Sequence, residues 1–350
     1  MSRNDNFDNS PDNSEQEPSS VQDMGFSRHI DRPEEPAPSA REEGFSEPSL
    51  DEAPRGLYSL IPDEPVPDPL FQTWSQPEVI PPTRIPHLGH LCLLAGAALS
   101  GFTCAAALML TALHFHFDGV ATMEKAAYNV HYDLGSETVI YLVGFSLCLI
   151  FFPMFWNKGF FAGIQWRGAT ALRLYWQLVA TAAVCFGLAA IEPALFKNPP
   201  HAPIEDIFRS PGAAWLMFGF GVTFAPFFEE IAFRGFLLPS LATACDWVGE
   251  RFTDKDPPPL DGNGHPQWSL PAMVIASIAT SLPFAMMHLE QQGKTLGPFI
   301  QVLAVSLILC AVRLRTRSLA ASTLVHACYN FMIFSLMMIG TDGFRHLDKL

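Results

Sequence analysis

Seven stretches of this 350-residue chain contain no Asp, Glu, Lys or Arg: 91–113, 138–156, 174–191, 210–228, 269–287, 295–312 and 318–341. Each is close to the roughly 20 residues that a helix needs to cross about 30 Å of hydrocarbon. Helices buried in a large soluble enzyme would carry charged outer faces, and these stretches have none. Only 16% of residues are charged, against about 25% in ordinary soluble domains. The pattern predicts an all-α, polytopic membrane bundle of seven or eight transmembrane helices.

The first 86 residues are a different object. They hold 18 of the 35 acidic and 6 of the 21 basic residues, and 15 of the 30 prolines. Scattered single aromatics cannot bury a core that offsets chain entropy, so residues 1–86 are expected to be a disordered, acidic, Pro-rich tail and linker. The membrane-embedded domain then spans 87–350. The tail is suited to a cytoplasmic partner rather than to chemistry. The acidic balance argues against nucleic acid, which needs clustered Lys and Arg. The seven cysteines lie in or at the ends of apolar runs without metal-binding spacing and read as small packing residues.

Basic residues orient the bundle. Lys158, Arg167 and Arg173 flank the second loop, Arg251 and Lys255 the fourth, and Arg313, Arg315 and Arg317 the sixth. With seven alternating spans all three loops share one side, expected to be cytoplasmic together with the N-terminus. The acidic first loop, with Asp118, Glu124, Asp133 and Glu137, is expected outside. The expected location is the bacterial inner (plasma) membrane, with the bilayer itself as a partner. The fourth span is too long for one straight crossing, since its helical pattern continues through Glu229, Glu230 and Arg234 to about Ala244; a kink at Pro226 or an eighth, partial helix would accommodate it. Trp156, Trp166 and Tyr175 fit an interfacial aromatic belt, and His87 and His90 are expected at the interface too.

Three spans carry polar residues in the wrong solvent. Glu229, Glu230 and Arg234 together oppose insertion by roughly 7 to 10 kcal/mol unless they pair. Glu230 and Arg234 are spaced i, i+4 and meet on one helix face, whereas Glu229 is turned about 100° away from that cation. Phe284 and His288 form a second i, i+4 pair, and His326 and Asn330 a third. Three inward polar stripes on one chain point to a shared polar cavity.

Glu229-Glu230-Ile-Ala-Phe-Arg234, Phe284-Ala-Met-Met-His288 and His326-Ala-Cys-Tyr-Asn330 resemble, in order, the EExxxR, FxxxH and HxxxN motifs of the CPBP family. These are the CAAX-prenyl-protease and bacteriocin-processing intramembrane endopeptidases, also called the Abi family. The resemblance covers residues 210–340. It implies a glutamic peptidase acting on a membrane-associated protein or peptide substrate, with no cofactor and no metal. Glu229 would be the general base and His288 its helper in orienting water. Glu230 would be held by Arg234, and His326 with Asn330 would stabilise the oxyanion.

Rival readings use the same residues. Glu229, His288 and His326 would make a carboxylate-plus-two-His zinc site, although no HExxH is present. A non-catalytic binding or immunity-type membrane protein on the same scaffold would have no need of an intact Glu229 and His288. A transporter would show inverted repeats or broken helices, and neither is visible.

Overall fold

The computed structural model describes residues 84–197, 210–253, 256–261 and 265–346. The expected disordered tail lies, apart from its last three residues, outside the described residues. Seven helices are long and apolar enough to cross a membrane: α1 (Leu88–His114), α2 (Val130–Trp156), α3 (Tyr175–Leu195), α4 (Pro211–Thr253), α5 (Leu270–Leu289), α6 (Leu296–Thr316) and α7 (Leu319–Gly340). Among the described residues there is no strand, so the protein is an all-α bundle with seven such spans.

Local chemistry sets the helix starts. Ser210, Ser269 and Ser318 each place a side-chain oxygen on the backbone N–H three residues on, at 3.2, 3.4 and 3.2 Å, satisfying a donor the helix leaves open. Pro211 and Pro271 occupy first turns, where no intrahelical N–H is lost. α2 begins eight residues before its charge-free stretch. Asn129 caps it by accepting from the N–H of His131 and Tyr132, so Asp133 and Glu137 belong to the helix and not, as expected, to the loop.

The long fourth segment is one helix. At 1.5 Å per residue its 43 residues extend about 65 Å, and its last turns are polar, with Asp246, Glu250 and Arg251. Two π-helical sections interrupt the α geometry, Phe220–Phe224 and Ile231–Leu237. The apolar pattern past Phe228 therefore continues α4 instead of starting an eighth span, and Pro226 is accommodated directly after the first π section.

Packing brings α4 to the centre. α7 lies against α3 and α4, α6 against α3 and α5, and the second half of α4 against α1 and α5. α1 and α2 approach closely because Gly101 faces Ile140: a Cβ on Gly101 would stand 2.6 Å from the Ile140 carbonyl oxygen. Small residues at such contacts are what let membrane helices pack. Gly101→Ala must push the two backbones apart, and we expect it to cost about 1 to 3 kcal/mol. Thermal unfolding of the detergent-solubilised variant reads this as a lowered Tm; an unchanged Tm would contradict the close contact.

The second, fourth and sixth loops meet at one end, as their charge predicts. Asp261 accepts from Arg167 at 3.4 Å and lies 3.8 Å from Arg317, and Ser318 donates to the Arg167 carbonyl at 2.9 Å. His265 is buried beside them, and burial holds its pKa below the ordinary imidazole value. Two expectations are corrected. Trp156 is not interfacial: the short helix Phe160–Gly163 folds back over the end of α2, and the indole is buried 4.7 Å from Phe152 and 5.8 Å from Phe236 between ring centroids. His90 is likewise buried, 5.5 Å from the same indole.

Candidate active site

The geometry begins with a buried ion pair. Glu230 and Arg234, both fully buried, meet at 2.9 Å between Oε1 and Nη1. The i, i+4 spacing anticipates this contact, but an ion pair inside a bundle also needs its remaining donors met. Ser306 of α6 meets those of one nitrogen: Nη2 of Arg234 donates to the Ser306 carbonyl at 3.1 Å and to its Oγ at 2.6 Å. The Phe284 ring covers the guanidinium, with its centroid 4.4 Å from Cζ. A cation over a ring, shielded from water, is worth about 2 kcal/mol. Phe284, the first residue of the FxxxH motif, is therefore part of the site.

His326 joins the two glutamates. Its Nδ1 lies 3.3 Å from Glu230 Oε1 and its Nε2 3.8 Å from Glu229 Oε2. Glu229 is the more open carboxylate, 12% exposed against 0% for Glu230. This difference follows from their positions on α4. Glu230 faces α6 and α7, while Glu229 lines a cavity of about 510 Å³ between α1, α2 and α4. The cavity is mainly apolar, with Leu94, Tyr141, Phe228 and Met287 in its wall. Glu137, expected in the outer loop, lines it as well.

The other two motif residues are placed differently. His288, in the last turn of α5, bonds through Nδ1 to the Phe284 carbonyl at 2.8 Å, and its ring lies 4.7 Å from that of Phe284. Phe284 in turn sits 5.9 Å from His326. His288 thus reaches the cluster through the Phe284 ring, by a tilted contact on one side and an edge-on contact to His326 on the other; among the described residues no hydrogen bond or ion pair links it to Glu229. The imidazole beside Glu229 is that of His326. Asn330, one turn along α7, donates through Nδ2 to the Gly221 carbonyl of α4 at 2.7 Å, which leaves its second N–H available.

One further side chain outside the motifs borders the site. Arg313, expected in the basic sixth loop, is only 2% exposed. Its Nε donates to the backbone carbonyl of Arg234 at 3.2 Å and its Nη2 to that of Ile164 at 3.4 Å. Its neighbours Arg315 and Arg317 give it the look of a loop cation, and only tertiary packing separates it from them. The zinc alternative needs Glu229, His288 and His326 to converge. Among the described residues no group of three or more His, Cys, Asp or Glu side chains is arranged to hold a metal ion.

The motifs EExxxR, FxxxH and HxxxN therefore occupy α4, α5 and α7 around one buried cluster, and Glu229 carries that cluster to the cavity wall. Comparison with protein families matches residues 211–332 to the family described as type II CAAX prenyl endopeptidase Rce1-like. The matched segment runs from the start of α4 into α7 and contains all seven motif residues. No curated protein and no solved structure matches the chain. Over residues 211–332 the chain is thus similar to the CAAX-protease family that its three motifs resemble.

Proposed function

We propose that this protein is an intramembrane endopeptidase that hydrolyses a peptide bond of a membrane-associated protein or peptide with water activated by Glu229. One observation carries the reading: of two adjacent glutamates, Glu230 is locked to Arg234, while Glu229 faces an apolar cavity with an imidazole nitrogen 3.8 Å away. A carboxylate free of a cation and open to a cavity can accept a proton; one held by a guanidinium serves as scaffold.

The step balances without any further group. Glu229 takes a proton from water as the oxygen attacks the scissile carbonyl carbon. The negative charge that develops on the carbonyl oxygen is met by the imidazole of His326 and the free N–H of Asn330. The C–N bond then breaks, and the leaving nitrogen takes the proton from Glu229. His288 supplies a second imidazole on the far side of the Phe284 ring and helps orient the water. Excluding bulk solvent from the cavity strengthens each of these electrostatic contacts.

Residues 87–350 would form the protease domain, and the common end of the basic loops would face the cytoplasm with the N-terminal tail. The test is cleavage of a fluorogenic farnesylated CAAX peptide, and of its unprenylated counterpart, by purified protein in detergent. Wild type should release product. Asn330→Ala should lower kcat by roughly 10² to 10³, as for one oxyanion donor. Equal turnover by the variant would remove Asn330 from the mechanism, and no cleavage of any membrane-associated peptide would favour a binding protein on the same scaffold.

A further inference from the structure

Both π sections of α4 stop at a proline. In the first, the Ala225 N–H reaches back five residues to the Phe220 carbonyl. The next bond in that register would run from residue 226 to the Gly221 carbonyl, but residue 226 is Pro and has no N–H. In the second, the Leu238 N–H bonds the Phe233 carbonyl. The next would run from residue 239 to the Arg234 carbonyl, and residue 239 is again Pro. Where each section returns from the i→i−5 to the i→i−4 register, one carbonyl is passed over inside the bundle, where an unmet acceptor is costly.

Each of these two carbonyls accepts from a side chain of another span. Gly221 takes the Asn330 Nδ2 from α7 at 2.7 Å, and Arg234 takes the Arg313 Nε from α6 at 3.2 Å. Between the two π sections lies the α-helical turn Ala225–Glu230, which carries Glu229 and Glu230. A π turn holds more residues than an α turn, so it rotates whatever follows about the helix axis. The register of both π sections thus sets the direction in which the glutamates and Arg234 point.

We infer that Arg313 is a positioning residue for the reaction: by donating to the Arg234 carbonyl that the change of register passes over, it fixes the second π section and with it the Glu230–Arg234 pair beneath Glu229. Asn330 does the same for the first section, through the bond that holds its amide plane. This assignment rests on the peptidase reading for its effect on turnover, but the hydrogen bond itself does not.

The test uses the full-length, detergent-purified protein. Arg313→Met removes the donors at similar length, and Arg313→Lys keeps one donor on a chain of similar reach. Arg313→Met should lower kcat by about 10²-fold with KM within about two-fold, because misplacement of reacting groups acts on the chemical step. Arg313→Lys should lose at least about ten-fold less, since it can still donate to the Arg234 carbonyl. An equal loss in both variants, or a loss confined to KM, would overturn the assignment. If Arg313→Met does not accumulate as folded protein, the yield decides: recovery with Arg313→Lys supports the assignment, and no recovery overturns it. If wild type cleaves no peptide, Tm decides independently: a smaller drop for Arg313→Lys than for Arg313→Met supports the hydrogen bond, and an equal drop refutes it.

Discussion

Glu229→Gln should abolish cleavage while leaving the protein inserted and folded. The substitution keeps the shape of the side chain and removes its ability to take a proton from water. General bases contribute typically 10² to 10⁴ in rate, so we expect a loss of about 10³-fold or more. Among the described residues the ion-pair contact of Glu229 is with His326, at 3.8 Å, and its carboxylate borders the cavity. Little of the folding energy therefore depends on its charge, and the variant's Tm should stay close to wild type. A variant that turns over substrate within ten-fold of wild type would place the base elsewhere.

Arg234→Met should fail in another way. It leaves Glu230 charged, fully buried and deprived of its 2.9 Å partner; breaking one side of a buried ion pair costs about 3 to 5 kcal/mol. Ser306 also loses the donor to its carbonyl and hydroxyl, and Phe284 loses the cation beneath its ring. That loss is a large part of the 5 to 15 kcal/mol by which folded proteins are usually stable. The expected result is a marked fall in the amount of folded protein recovered from membranes, measured by size-exclusion chromatography in detergent. Glu230→Gln should behave in the same direction and more mildly, because the amide oxygen still accepts from Arg234. Normal yield with lost activity in Arg234→Met would instead move Arg234 from scaffold to chemistry.

The contrast between these variants reflects what a linear pattern can and cannot reveal. The absence of charge over about 20 residues is enforced by lipid along the whole length of a span, so all seven helices are visible in the sequence. The i, i+4 spacing of Glu230 with Arg234 fixes a shared helix face, so their pairing is visible too. Helix ends are less so: Asp133 reads as a loop acid because it is exposed in a helix's first turn, and Glu137 because a charge count cannot distinguish a lipid-facing position from one that lines a cavity. Arg313 fails for the same reason in reverse, since its neighbours Arg315 and Arg317 make it resemble a surface cation while its own side chain turns into the core. The π sections have no composition of their own; the carbonyls they leave over are met by Asn330 and Arg313 from other spans. His326 rather than His288 stands beside Glu229 because α7 packs against the Ala225–Glu230 turn of α4, whereas α5 packs against its later part and His288 reaches the cluster through the ring of Phe284. No spacing within one segment encodes such contacts between spans.

The central claim is that Glu229 activates water with the protein's own side chains. Proteolysis by the purified enzyme, before and after exhaustive chelation and with bound metal quantified on the same sample, tests it most directly. Turnover should be unchanged by chelation, with metal far below one equivalent per chain. Activity that disappears on chelation and returns with one equivalent of zinc would contradict it and reassign Glu229, His288 and His326 as ligands.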